Sequence, residues 1–141
     1  MPHDQWARPL QILGICTTLL LAPAAGAQAI TSVPASSCLR LNHTAQALTE
    51  FHNGGLQNSS ADARARFAVL QSSEQSLEGD PRLAVLPAMA AVKRSWQPLN
   101  TQFRGLPASI EPAAMQQQLH GLKNAYRMAL NGLIVSIRCQ P

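Results

Sequence analysis

The chain has 141 residues, 46% hydrophobic, 13% charged and 4% aromatic, a balance that suits one ordinary domain and excludes two domains or long disordered tails. Its 10 prolines and 8 glycines recur without a fixed period, which excludes collagen-like, low-complexity and solenoid chains. The formal net charge of +4 comes from basic residues scattered over every segment, with only Trp96 and Tyr126 nearby to stack on bases, so no nucleic-acid partner is expected.

In chain order, residues 1–27 read as a cleaved secretory signal peptide. Arg8 supplies the positive n-region, Leu10 to Ala22 an apolar h-region, and Ala25-Gly26-Ala27 a small-x-small cleavage site. A bilayer-spanning helix needs about 20 apolar residues, and Pro23 and Gly26 interrupt the stretch where it would have to continue. A retained anchor is the alternative reading; no stable membrane span is expected after cleavage. Cys16 follows the branched Ile15, unlike a lipoprotein signal, and is expected to leave with the signal peptide.

Cleavage after Ala27 leaves one domain, 28–141, with two cysteines, Cys38 and Cys139. In an oxidising periplasmic or secreted setting, such a pair near opposite ends reads as a structural disulfide. A metal site is the poorer reading, because neither cysteine has a second Cys or His at ligand spacing.

Four helices follow. The first is expected from a Ser36/Ser37 cap to Asn53-Gly54-Gly55, with Cys38, Leu41, Ala45, Leu48 and His52 on one face. The second opens at Ser59, where Ser59-x-x-Asp62 is similar to a capping box, and runs toward Gly79-Asp80-Pro81 with Ala63, Phe67, Leu70 and Leu77 inward. Glu74 falls on that stripe and reads as its wet edge, with a functional buried acid as the alternative. In the third, Val85, Met89, Val92, Trp96, Leu99 and Phe103 alternate by four and three, with Asp80 and Pro81 at the start. Pro87 and Pro98 imply a restart and a bend.

The fourth helix is expected after a Ser109 cap, with Glu111 and Pro112 in its first turn and Met115, Leu119, Leu122, Tyr126, Ala129 and Leu133 inward, joined by Leu130, Ile134 and Ile137. Gly121 and Gly132 cost it about 1 kcal/mol each against alanine, which implies close packing against a neighbour. No run alternates with a two-residue period, so no sheet is expected. Short connections and an even helix count predict an all-α, antiparallel up-down four-helix bundle. A disulfide would join the start of the first helix, at Cys38, to the end of the last, at Cys139.

Signals for catalysis are weak. His43, His52 and His120 form no HxxxH or HExxH pair, and no GxSxG, Gly-rich phosphate loop or ExxH carboxylate set occurs. Neither an enzyme nor a metal site is expected. The stretch from Gln118 to Arg127 loosely resembles the last helix of soluble periplasmic b-type four-helix cytochromes. However, the first methionine of the mature chain is Met89 in the third helix, Arg127 stands in place of the ligand histidine, and CxxCH is missing. Met89, Met115 and Met128 therefore read as packing residues, and no cofactor is expected. A ligand cleft is expected on the third helix, where Trp96 lies on the inner stripe with Lys93 and Arg94 outside it and Pro98 nearby. The competing reading makes Trp96 plain core and Arg94 a solvated charge.

From Asn58 to Gly105 the chain has an Ala/Arg-rich helix ending in Leu77-x-Gly79-Asp80, then Val92, Trp96, Pro98 and Leu99 in a Val-x-x-x-Trp-x-Pro-Leu turn. This segment resembles the middle of the type IV pili methyl-accepting chemotaxis transducer N-terminal family, the PilJ-type sensor bundle. The resemblance implies an extracytoplasmic, non-enzymatic binding or sensory-accessory bundle with an unknown small ligand or protein partner. Its first helix departs from that pattern: Leu41 to Thr49 keeps Asn42 and Gln46 but lacks both family arginines, so no anion-sensing role is carried over from them. With no second span and no cytoplasmic signalling helix, a free-standing module is expected. The alternatives are a small periplasmic inhibitor or immunity-type protein that binds a secreted enzyme and, more distantly, a haem-binding bundle.

Overall fold

The structure is a computed structural model and describes residues 29–55 and 58–141. The signal-peptide segment, 1–27, lies outside the described residues. In order, the elements are β1 (Thr31–Val33), α1 (Ala35–Glu50), a π-helical turn (Phe51–Gly55), α2 (Ser60–Glu78), α3 (Pro81–Ala84), α4 (Pro87–Gly105), α5 (Pro112–Val135) and β2 (Ile137–Cys139). The fold is predominantly helical, and among the described residues no helix is long and apolar enough to cross a membrane.

Helix starts follow the local chemistry in part. Ser59 caps α2 by accepting from the Asp62 N–H at 3.1 Å, and Asp80 caps α3 by accepting from the Arg82 N–H at 2.9 Å. The other two expected caps are replaced by proline effects. Pro34 precedes α1 and Glu111 precedes Pro112 of α5, neither with a side-chain cap, because proline holds itself and the preceding residue in geometries that open a helix. Ser37, expected at the first cap, is instead buried against Asp80. That carboxylate also pairs with Arg40 at 3.4 Å, tying α1 to the α2–α3 corner.

The third predicted helix is two. α3 stops at Ala84, Leu86 is extended as a residue before proline tends to be, and α4 starts at Pro87. The break turns Val85 off the stripe, leaving it 79% exposed. From Met89 onward the stripe is buried as its periodicity requires, and α4 continues through an exposed Pro98 to Gly105.

α1 packs chiefly on α2, and α4 on α5. At their centre Phe67 stacks on Phe103 with centroids 3.7 Å apart and on Trp96 at 5.5 Å, while Phe51 meets Phe67 and Phe103 edge-on. Trp96 tilts onto Tyr126 at 5.2 Å. Each such side chain contributes about 1.5 to 3 kcal/mol by burial, plus a smaller aromatic term. Arg64 of α2 clips the α4–α5 loop by donating to the carbonyls of Leu106 and Pro107 at 3.2 and 3.0 Å.

Two expectations about the ends change. α5 terminates at Val135, where the Ser136 hydroxyl donates to the Leu133 carbonyl at 2.7 Å, and the chain then forms a short strand. β2 pairs in parallel with β1, Thr31 opposite Ile137 and Val33 opposite Cys139. Three residues are too few to display an alternation, so this sheet leaves no periodic trace in the sequence. The Cys38–Cys139 disulfide is present, with its Cα atoms 6.0 Å apart, but it joins the first turn of α1 to β2 rather than to the end of a helix. Gly121 and Gly132 lie on the exposed face of α5, and a Cβ on either would meet nothing within 4 Å. They are not close-packing positions.

Candidate functional site

The chemistry gathers between the end of α1 and the middle of α5. On α5, His120, Lys123 and Arg127 are spaced by three and four and share one side of the helix. Opposite them α1 passes into the π-helical turn, which sends Phe51 into the core and leaves His52 at the surface. Such turns are frequent where a helix serves a site. The two sides enclose a cleft of about 580 Å³, with Leu48 and Leu130 as apolar lining and Thr49, Asn124 and Asn131 as neutral polar groups. A second cavity of about 350 Å³ shares His52, His120 and Lys123. Lys123 therefore stands at the seam of the two.

Lys123 is 5% exposed, and its Nζ donates to His52 Nδ1. Burial first, then the Arg127 guanidinium, holds its amine below the usual lysine range. Burial likewise lowers the His52 imidazole, helped by Lys123, Arg127 and His120. A neutral ring is what the contact needs, since only a deprotonated Nδ1 accepts. His120 Nε2 lies 3.1 Å from the Asn124 amide.

Among the described residues, no carboxylate lines either cavity. The nearest acid along α1, Glu50, is engaged by Gln46 at 2.9 Å and Arg66 at 3.9 Å, and Asp80 by Arg40. Among the described residues, the field of Lys123 and Arg127 is thus unopposed within the cleft. In a partly enclosed cleft, such a field attracts anions. An ammonium and a guanidinium one turn apart, with amide and hydroxyl groups around them, supply the donors for a carboxylate or phosphate group. Among the described residues, no group of three or more His, Cys, Asp or Glu is placed to hold a metal ion.

Comparison with protein-family models, curated proteins and solved structures finds no match.

The residues singled out on the third helix do not form this site. Trp96 is buried in the aromatic cluster, Arg94 is exposed and Lys93 half-buried, and none of the three lines the α1–α5 cleft. Lys123, one of the basic residues scattered along the sequence, is buried. Its spacing with His120 and Arg127 was visible in the sequence. The signal that gives it meaning, His52 across the cleft, was not.

Glu74 also differs from its expected place. It is fully buried, and Tyr126 of α5 donates its hydroxyl to Glu74 Oε2. The other carboxyl oxygen, Oε1, has no hydrogen-bond partner among the described residues. Burial pushes the carboxyl up to about 7 against the opposing pull of the Tyr126 hydrogen bond, because an unpaired oxygen in an apolar setting tolerates a neutral acid far better than a carboxylate. Burial also raises the Tyr126 phenol, with the Glu74 charge and hydrogen bond adding to it. Both residues are fully buried, and the pair reads as part of the core.

Proposed function

We propose that this chain is an extracytoplasmic, non-enzymatic binding module of the sensory-accessory kind, whose α1–α5 cleft takes a small anionic ligand. In this reading α1, α2, α4 and α5 follow an antiparallel up-down course, and residues 1–27 serve as the export signal. One observation carries the ligand class: Lys123 and Arg127 converge with His52 and His120 on a cleft that, among the described residues, no carboxylate lines. A disulfide closing the domain supports an oxidising compartment. The PilJ-type resemblance covers 58–105 and so contributes none of the cleft's residues. A role like that family's would here use different side chains for its ligand.

The test is thermal unfolding of the secreted chain with sulfate, phosphate and small carboxylates against sodium chloride at equal ionic strength. A ligand at a hundred times its Kd stabilises by about 2.7 kcal/mol, an increase in Tm of several degrees for a domain of this size. Arg127→Gln should abolish the increase while leaving the unliganded Tm nearly unchanged, since Arg127 is exposed and takes part in no ion pair among the described residues. No anion-specific shift, or an equal shift in the variant, would refute the reading.

A further inference from the structure

We infer that Lys123 is a covalent anchor: its Nζ condenses reversibly with the carbonyl carbon of a small oxo acid whose carboxylate Arg127 holds. This rests on the anion-binding reading of the same cleft and names the ligand's second functional group. The reason lies in how Lys123 is placed. A lysine that only attracts an anion needs exposure and a long reach, yet this one is 5% exposed and has an imidazole, not a carboxylate, as its polar partner. Buried lysines are ordinarily paired with an acid. Among the described residues the groups facing the amine are Arg127 and His120 on its own helix and His52 on the π-helical turn, and none of them is an anion that would stabilise its charged form. Lys123 nevertheless lines both cavities.

Those are the conditions that make an amine a nucleophile rather than a counter-ion. Arg127 lies four residues on, about 6 Å along the helix axis. A carboxylate held there presents an adjacent carbonyl to Nζ.

The chemistry balances without a redox partner. The Lys123 ammonium passes one proton to His52 Nδ1, and the freed nitrogen lone pair forms a bond to the carbonyl carbon. The newly bonded nitrogen gives one proton to the carbonyl oxygen, which becomes the hydroxyl of a carbinolamine. Loss of that hydroxyl, with the proton returned from His52, releases one water and leaves a protonated imine. Hydrolysis by the reverse path restores the amine and the free oxo acid, so the step is binding and not turnover.

The sequence provides its own control, because Lys93 and Lys123 are the two lysines of the chain and Lys93 is half-buried outside the cleft. The full chain is incubated with pyruvate and sodium cyanoborohydride, then digested and mapped by mass spectrometry. The reduced adduct should form on Lys123 at least about tenfold faster than on Lys93, a difference of about 1.4 kcal/mol in barrier. Arg127→Gln should remove that preference and His52→Gln should slow the labelling. Lactate, the same acid with a hydroxyl for the carbonyl, should protect Lys123 without labelling it. If Lys123 is labelled no faster than Lys93 while lactate still raises the Tm, the covalent step is overturned and the anion site stands. If neither lactate nor sulfate nor phosphate gives a shift, both readings fall together.

Discussion

Replacing Glu74 with Gln should remove a pH dependence built into the core. Glu74 is fully buried beneath Tyr126. Its carboxyl has an ordinary value of 4.5 and is raised to about 7 in the folded protein. Over that range the folded state keeps a proton that the unfolded state has released. The stability this group supplies is therefore fully present below 4.5 and is lost as the pH rises through about 7. At about 1.4 kcal/mol for each tenfold change in proton affinity, the loss comes to about 3 kcal/mol. Glutamine keeps the shape and an acceptor for the Tyr126 hydroxyl but does not titrate. The lowered His52 imidazole acts in the opposite sense, since its contribution grows as the pH rises toward 6.5, but it is common to both proteins and cancels in their difference. Urea unfolding followed by circular dichroism, with the disulfide intact, from about pH 4.5 to about pH 8 measures that difference. The stability of Glu74→Gln relative to the parent should climb by about 3 kcal/mol across the range. A constant difference would refute the reasoning, because it would mean that Glu74 is not a proton-holding group in the fold.

Opening the disulfide by Cys139→Ser releases a loop with a sequence separation of 101 and should cost about 4 to 5 kcal/mol in the chain-entropy account, read from urea midpoints with and without reductant. The same variant should speed hydrogen exchange at the Thr31 and Gln140 amides, which bond to Ser136 and Val33 at 2.9 Å each. Gly121→Ala and Gly132→Ala should each stabilise by about 1 kcal/mol, because a Cβ there meets open space. A fall in Tm for either would show that this face of α5 is covered. Phe67→Ala should cost about 3 to 5 kcal/mol, since Phe67 touches Phe51, Trp96 and Phe103. Ser59→Ala should cost about 1 kcal/mol through loss of the α2 cap.

Much of the helical framework was legible because helix faces are written at short range. Met89, Val92, Trp96, Leu99 and Phe103 on α4, and Met115, Leu119, Tyr126 and Leu133 on α5, are all buried as their three-and-four spacing requires. Where local chemistry competed, it misled. Ser36 and Ser37 resembled a cap, but Pro34 starts α1. Ile137 extended the apolar pattern of α5, but it belongs to a strand, where one apolar residue fits either period. Gly121 and Gly132 suggested crowding and lie in the open. The candidate cleft was half legible: His120, Lys123 and Arg127 declare a shared face, while the expected site at Trp96, Lys93 and Arg94 drew on an aromatic whose rings and neighbours fill the core.

By itself, then, the order of residues determined where helices run, which side of each is apolar, and that Cys38 and Cys139 have only each other within the domain. The tertiary structure alone decided what meets each face. Periodicity assigns a residue to a side of its own helix but carries no information about the residue opposite. Lys123 found His52 71 positions away and Tyr126 found Glu74 52 positions away; the first pairing sets the cleft's character, and burial between the packed helices, against the pull of Tyr126, sets the acid's proton affinity.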